Sequence, residues 1–200
     1  NGAIFLGLQS PVVKSHGSTD AIGFSRSLKE DGKFDVLGKT ALILGSGGSA
    51  RAVAVALIGS GVKHITVANR TIRRAKDLID SLGQDPGTMS VVGLDTESLW
   101  SIIDSIDLLV NCTPVGMKGS VEEGECPVQF GSIPSRIFVC DLIYNPHETP
   151  LLRLASSSGA TTLGGLPMLI YQGAQAFEMW TGKRAPVKHM FDTAYRNLYV

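Results

Sequence analysis

A glycine-rich segment in the first quarter of the chain has the residue types of a phosphate-binding loop. The letters GSGGSAR (45–51) come directly after the apolar run TALIL (40–44) and lead into an alanine-rich stretch without proline. A loop of this kind between a strand and a helix can hold a pyrophosphate on backbone N–H groups, where the helix dipole favours an anion. Glycine is needed there because a side chain would block the tight turn and the approach of the phosphate. Glycine-rich turns also occur without ligands, so the loop alone leaves a purely structural role open.

The residues after the next strand favour a nucleotide that carries a 2′-phosphate. A strand over HITVA (64–68) is followed by NRTIRR (69–74), which holds three arginines and no acid. An NAD-binding domain commonly has an acidic residue at this point to hold the ribose 2′-hydroxyl group. A guanidinium fork instead matches a phosphate dianion. The cluster therefore predicts NADP rather than NAD, and the alternative is a set of arginines that only solvates a helix face.

Alternating strands and helices must position these two groups. This alternation is typical of βαβ units and predicts an α/β fold, a Rossmann-type doubly wound parallel sheet with helices on both faces. The predicted strands cover 40–44, 64–68, 89–94, 107–112 and 137–144. The predicted helices cover 18–32, 51–61, 71–83, 149–159, 166–182 and 187–200, with a short one at 97–103.

Composition excludes several classes of protein. With 44% hydrophobic and 18% charged residues among 200, the chain is not intrinsically disordered. Its 18 Lys and Arg balance 18 Asp and Glu, so no overall basic field exists to attract nucleic acid or an anionic membrane. No apolar run approaches the roughly 20 residues that span a bilayer. Three cysteines without paired metal spacing predict the reduced cytoplasm and no metal site.

Five groups of residues share their order and spacing with the segments of one known family. Together they resemble the shikimate dehydrogenase family, including its quinate/shikimate relatives. The resemblance covers residues 18–182, most of the chain. The groups are STDAIGF (18–24), GSGGSAR with NRTIRRA (45–51, 69–75), NCTPVGM (111–117), DLIYNPHETPLL (141–152) and GGLPMLIYQGAQAFEMWTG (164–182).

This resemblance implies an NADP-linked oxidoreductase that interconverts 3-dehydroshikimate and shikimate in aromatic amino-acid biosynthesis. Hydride would pass between the nicotinamide and the ring carbon that bears the 3-oxygen, while the protein supplies orientation and proton handling. The implied partner is this small substrate, and the implied assembly of a complete protein is a homodimer.

The resemblance also implies roles for individual residues. Asp20 would be the catalytic aspartate, and Asp20, Tyr144 and Gln172 would contact the substrate. Gly45, Ser46, Gly47, Gly48, Ser49 and Ala50 would line the pyrophosphate. Asn69, Arg70, Thr71 and Arg74 would take the adenosine 2′-phosphate. Thr113, Pro114, Val115, Leu142 and Ile143 would flank the cofactor, with Gly165 and Met168 near the nicotinamide.

Ordinary structural roles compete with several of these assignments. Asp20 could cap a helix that begins at Ala21, since Asp is a favoured N-cap residue. Tyr144 could be a turn residue with its ring in the core, and Met168 could be core filler. Gln172 lies on an otherwise apolar helix face, where a buried amide needs partners. Asp107 and Asp141 are interpreted as structural hydrogen-bonding groups.

The resemblance divides the chain into a remnant of the substrate-binding domain (1–33), an NADP-binding Rossmann domain (34–165) and C-terminal helices that return to the substrate domain (166–200). The family's lysine segment, its usual acid or base, is not identifiable, and Lys14 does not replace it. The aspartate segment also departs from the family pattern, with Ser18 in place of asparagine and Ala21 in place of glycine.

Three hypotheses therefore stay open at this point. A fragment of an ordinary enzyme would bind NADP but reduce dehydroshikimate poorly or not at all. A non-catalytic relative would keep the nucleotide-binding domain as a sensor or interaction module. A dehydrogenase for quinate or an amino-shikimate is the third hypothesis, because the lobe that discriminates substrates is not recognisable.

Overall fold

Parallel strands form a single six-stranded sheet in the part of the chain that the structure describes. This part, in the computed structural model, is residues 18–85 and 87–200. Lys14 and residues 1–17 of the expected remnant 1–33 lie outside it. The strands are β1 (Thr40–Leu44), β2 (His64–Asn69), β3 (Met89–Gly93), β4 (Leu108–Asn111), β5 (Phe138–Asp141) and β6 (Thr162–Leu163).

The strand order is β3-β2-β1-β4-β5-β6, and every neighbouring pair is parallel. The chain moves outward from β1 to β3 and then crosses back to place β4 beside β1. This reversal is the topological switch point of a doubly wound sheet, where ligands bind outside the carboxyl ends of the strands. The predicted fold class is confirmed.

Helices cover both faces of the sheet, because the central strands are apolar on both sides. In β1, Ala41 and Ile43 pack into one core cluster, and Leu42 and Leu44 pack into the other. The first cluster also contains residues of the helices on one face of the sheet, and the second contains residues of the helices on the opposite face. The helices are α1 (Thr19–Glu30), α2 (Gly48–Gly59), α3 (Ile72–Leu82), α4 (Thr96–Trp100), α5 (Pro150–Ser157), α6 (Leu166–Thr181) and α7 (Val187–Tyr199).

Helices α1 and α6 pack against each other at very short range. A β-carbon added at Gly23 would lie 2.8 Å from the Gln172 backbone nitrogen and 2.9 Å from the Met168 carbonyl oxygen. Only glycine lets the two backbones approach this closely. The contact ties the segment before the sheet to the segment after it.

Helix and strand ends differ from the sequence-based expectations in a few places. The run predicted as a strand over 137–144 leaves the sheet after Asp141, because polar loop contacts replace strand pairing there. Strand β6 was not predicted, since two residues are too few to carry a recognisable pattern. Within the described ranges, no helix is both long and apolar enough to cross a membrane.

Candidate functional site

The glycine loop lies at the switch point, between the carboxyl ends of β1 and β4. Gly45 adopts a φ of +100°, and a β-carbon there would lie 3.2 Å from the Cys112 carbonyl oxygen and from the Thr113 side chain. The Cys112 N–H in turn donates to the Leu44 carbonyl oxygen at 2.9 Å. Gly45 is therefore required by the fold itself, because it brings the loops after β1 and β4 into contact.

Gly47 and Gly48 lie in a different environment. A β-carbon at either position would meet no protein atom within 4 Å among the described residues. Gly47 is the N-cap of α2, and the described residues provide neither a side-chain cap for this end nor an acid in its first turn. By contrast, Thr149 caps α5 by accepting from the Leu152 N–H at 3.3 Å.

Open space in front of uncapped N–H groups is what a pyrophosphate needs at a helix N-terminus. Gly47, Gly48 and Ser49 are exposed and Ser46 is half-buried, whereas Ala50 is fully buried in the core. The exposed residues can thus reach a phosphate directly, and Ala50 can contribute only its backbone.

Six of the predicted residues line one cleft of about 410 Å³ beside this loop. Ser49 comes from the start of α2, and the other five residues follow β4 or β5. Three connections at the same edge of the sheet therefore form the cleft. Cys112, Met117, Lys118 and Asn145 line the cleft as well and were not predicted. The six predicted residues are Ser49, Thr113, Pro114, Leu142, Ile143 and Tyr144.

A buried polar network holds the loops that form this cleft. Asn111 and Asp141 are cross-strand neighbours, and the Asn111 Nδ2 donates to Asp141 Oδ1 at 3.0 Å. The Thr113 N–H and hydroxyl both donate to Asn111 Oδ1, at 3.0 and 2.7 Å. Asp141 also accepts from the Ile143 N–H at 3.1 Å and from the Thr149 hydroxyl at 2.6 Å.

This network confirms the interpretation of Asp141 as a structural hydrogen-bonding group. Burial raises the pKa of the Asp141 carboxyl to about 6, although the hydrogen bonds from Thr149, Ile143 and Asn111 act to lower it. Asp107 also has the structural role expected, since it accepts from the Thr40 N–H at 2.8 Å, which holds its pKa below the ordinary value. Val115 joins the loop through its N–H, which donates to the Thr113 hydroxyl at 3.3 Å.

The predicted 2′-phosphate residues lie together at the start of α3. The Asn69 side chain donates to the Thr71 carbonyl oxygen at 2.9 Å, and the Arg74 N–H donates to the same oxygen at 3.0 Å. Arg70 and Arg74 are exposed. Arg70 Nη1 lies 3.4 Å from Glu122 Oε1, an ion pair across 52 residues of sequence.

The predicted substrate residues do not share one cleft. Asp20 lines a separate cleft of about 620 Å³ with Gly48 and Arg51. Ser18, not Asp20, occupies the N-cap position of α1, so the interpretation of Asp20 as the cap is wrong. Tyr144 is 41% exposed, which also rules out a ring in the core.

The predicted residues at the start of α6 and within it do not line this cleft. A β-carbon on Gly165 would overlap the Leu142 carbonyl, and the Gly165 N–H donates to the Ile143 carbonyl oxygen at 3.1 Å. Gly165 thus supports the backbone of two predicted cofactor residues. Met168 is buried in the core, and the half-buried Gln172 lies at the contact with Gly23.

Residues 18–85 and 87–200 bring together no group of three or more His, Cys, Asp or Glu side chains that could hold a metal ion. Burial raises the pKa of the Cys112 and Cys140 thiols, which keeps both neutral. Cys140 lies in the core, as expected.

Sequence reasoning missed Asn111, Lys118 and Glu122 as members of the site. Asn111 carried a usable signal, since it is a polar residue at the end of an apolar run directly before a loop. Lys118 directly follows the family-like segment 111–117. Glu122 carried none, because only the fold brings it to Arg70.

Two family models match this chain. "Shikimate / quinate 5-dehydrogenase" covers residues 28–123, and "Shikimate 5'-dehydrogenase C-terminal domain" covers residues 165–194. A relative from Desulforamulus reducens, "Shikimate dehydrogenase (NADP(+))", is 39% identical over 203 aligned positions, and the alignment covers 98% of this chain and 69% of the relative. The chain belongs to the shikimate dehydrogenase family.

Solved structures of shikimate dehydrogenases have the same fold. The Listeria monocytogenes enzyme in complex with shikimate and NAD matches with a TM-score of 0.80 at 34% identity, over 88% of this chain and 62% of that one. The Thermus thermophilus enzyme in complex with NADP(H) and shikimate matches with a TM-score of 0.76 at 37% identity, over 90% and 63%. The chain therefore spans 62–69% of the length of these family members.

Proposed function

We propose that this chain forms the cofactor-binding part of an NADP-dependent shikimate dehydrogenase, which interconverts 3-dehydroshikimate and shikimate by hydride transfer. The observation that carries the proposal is the start of α2, where Gly47 and Gly48 face open space and the N–H groups have no side-chain cap among the described residues. Membership of the shikimate dehydrogenase family supports the reaction assigned to it.

NADP, when bound, supplies the hydride acceptor of the oxidation and, in its reduced form, the hydride donor. The N–H groups at the start of α2 would hold its pyrophosphate. Arg70 and Arg74, with Asn69 and Thr71, would hold the 2′-phosphate, because guanidinium groups bind phosphate through charge-assisted hydrogen bonds.

The remaining cofactor residues shape the cleft at the nicotinamide end. Thr113, Pro114 and Val115 follow β4, and Leu142 and Ile143 follow β5, where the buried Asn111–Asp141 pair fixes both backbones. Gly165 holds the second of these loops from behind. Rigid walls of this kind orient the ring and exclude water from it.

Asp20, Tyr144 and Gln172 are proposed to contact the substrate, with Asp20 as the catalytic member. Tyr144 is supported by its exposure at the end of the cofactor cleft. Asp20 is supported by the cleft that it lines together with Gly48, the first residue of α2.

Quinate is the second candidate substrate, because the matching family model covers both shikimate and quinate dehydrogenases. Turnover of NADP⁺ with shikimate and with quinate, measured side by side, distinguishes the two. Binding of NADP⁺ without turnover of either substrate is expected both of a cofactor-binding part separated from its substrate lobe and of a non-catalytic module, so this outcome would not separate the two.

Calorimetric titration with NADP⁺ and with NAD⁺ tests the cofactor site directly. We expect the chain to prefer NADP⁺, and we expect Arg70→Ala to weaken NADP⁺ about tenfold or more, since a hydrogen bond to a charged group contributes about 1.5–3 kcal/mol. NAD⁺ binding should change far less. Lys63→Ala is the matched control, because it removes one exposed positive charge at the opposite end of β2.

Equal losses of NADP⁺ and NAD⁺ affinity in Arg70→Ala would mean that Arg70 does not read the 2′-phosphate. Absence of binding by both nucleotides to the unmodified chain would contradict the cofactor site itself.

Cytoplasmic location and a homodimer as the complete assembly are further parts of this proposal. The three cysteines, all free, support a reducing compartment. Light scattering during gel filtration measures the assembly state.

A further inference from the structure

An ion pair joins two distant segments at the proposed 2′-phosphate site. Arg70 directly follows β2, and Glu122 belongs to the long connection between β4 and β5. Their charged atoms, Arg70 Nη1 and Glu122 Oε1, are 3.4 Å apart. The guanidinium proposed to read the phosphate thus already has a carboxylate beside it.

The two side chains of this ion pair differ in exposure and in how firmly they are held. The Arg70 side chain is 78% exposed, whereas that of Glu122 is only 29% exposed. The backbone at Glu122 is also fixed, because its carbonyl oxygen accepts from the Gly116 N–H at 2.9 Å and from the Glu125 N–H at 3.2 Å. The carboxylate is therefore the anchored member of the pair, and the arginine reaches toward it.

A nucleotide 2′-phosphate and this carboxylate are negative groups that bind the same guanidinium. To bind the phosphate, Arg70 must leave Glu122 or share its donors between two anions that repel each other. NAD has no phosphate at this position, so its binding does not depend on freeing Arg70. The ion pair therefore affects the affinity for NADP and not the affinity for NAD.

We infer that Glu122 reduces the preference for NADP over NAD, because it holds Arg70 away from the 2′-phosphate and so weakens NADP binding. The inference rests on the proposed function, since it presupposes that NADP is the nucleotide bound. Glu122 is thus a specificity-determining residue that acts through Arg70. Exposed ion pairs are weak and screened by salt, so the effect should be a few-fold and should shrink as ionic strength rises.

The test compares Glu122→Gln with Glu125→Gln by calorimetric titration with NADP⁺ and NAD⁺. Glu125 is exposed on the same loop, so its variant makes the same change of charge away from Arg70. We expect Glu122→Gln to bind NADP⁺ about two- to fivefold more tightly at low salt, the range of an exposed ion pair. NAD⁺ affinity should stay the same, and Glu125→Gln should match the unmodified chain for both nucleotides.

A second variant, Glu122→Gln combined with Arg70→Ala, separates the two ways in which Glu122 could act. If Glu122 acts through Arg70, its replacement has no effect once Arg70 is gone. A gain in NADP⁺ affinity that persists in the double variant would overturn the inference, because Glu122 would then repel the phosphate directly.

Unchanged NADP⁺ affinity in Glu122→Gln, with clear binding by the unmodified chain, also overturns the inference while the proposed function stands. Failure of both proteins to bind NADP⁺ overturns both. Equal thermal unfolding midpoints of the two single variants exclude a folding defect as the cause of any difference.

Discussion

Asp141 is a buried carboxyl group at the end of a central strand, and its proton is linked to the stability of the fold. The carboxyl has its ordinary pKa in the unfolded chain, and burial raises that pKa to about 6 in the folded protein. Between these two values the folded state binds the extra proton. The contribution of Asp141 to the free energy of unfolding therefore falls as the pH rises from about 4 to 6.

We expect Asp141→Asn to remove this pH dependence, which amounts to at most about 3 kcal/mol for a shift of this size. An asparagine keeps the shape and can still accept from Ile143 and Asn111. Urea unfolding at intervals between pH 4.5 and 7 measures the effect, as the difference between the variant and the unmodified chain.

Asp104→Asn is the control for this series, because Asp104 is 93% exposed and pairs with Arg136 at 3.0 Å on the surface. Parallel stability curves for Asp141→Asn and the unmodified chain would show that the folded state does not hold a proton on Asp141.

At the residue scale, the sequence predicted groups whose chemistry is local and missed those whose partner is distant. The Asn69-Arg70-Thr71 cluster could be predicted because its residues are consecutive. Glu122 could not, since its role follows from a contact across 52 residues. The position of Asn111 at the end of an apolar run was a usable signal for the residue itself, but it does not reveal the carboxyl partner on the next strand.

The glycine loop that leads into α2 holds the proposed pyrophosphate site, and its glycines differ in their surroundings. Gly45 is required by its positive φ and by its contact with Cys112, whereas Gly48 faces open space. The sequence shows three glycines of equal appearance, and only the structure separates Gly45, which the fold requires, from Gly47 and Gly48, which have open space beside them.

Gly48→Ala should therefore leave the fold intact and damage the site. Replacing a helical glycine by alanine changes the free energy of unfolding by about 1 kcal/mol or less, in the stabilising direction. The new methyl group would occupy the space proposed for the pyrophosphate, and we expect NADP⁺ affinity to fall at least tenfold. Calorimetric titration and urea unfolding of the same sample measure both quantities.

Gly45→Ala is the matched comparison within the same loop. It should lower both stability and affinity, since a left-handed backbone costs a side-chain-bearing residue about 1–2 kcal/mol. Retention of full NADP⁺ affinity in Gly48→Ala would indicate that the pyrophosphate does not lie at the start of α2.

At the scale of the whole molecule, α1 and α6 form a unit that joins the two ends of the described chain. The sequence predicted both helices, and Gly182, which follows α6, adopts left-handed backbone angles. That the two helices pack together could not be predicted, because the hydrophobic period of a helix does not reveal its partner. The predicted order of strands and helices is correct, because an apolar run can be recognised from consecutive residues alone.

Gly23→Ala should destabilise the molecule by about 1–3 kcal/mol, the typical effect of adding atoms to a packed contact. Its β-carbon would lie within 3.0 Å of backbone atoms on α6, and backbone cannot move aside as the end of a side chain can. Urea unfolding followed by circular dichroism measures the change. Lys29→Ala, at an exposed position of the same helix, is the control, and an unfolding midpoint equal to that control would show that the helices do not pack at Gly23.

The pairing of Asn111 with Asp141 has a consequence for how related sequences can change. The two residues face each other in the register of neighbouring strands, and each supplies what the other needs, an amide donor and a carboxyl acceptor. Replacing one alone by an apolar residue would leave a buried polar group without its partner. Among relatives the two positions should therefore covary, so that a sequence lacking the asparagine also lacks the aspartate.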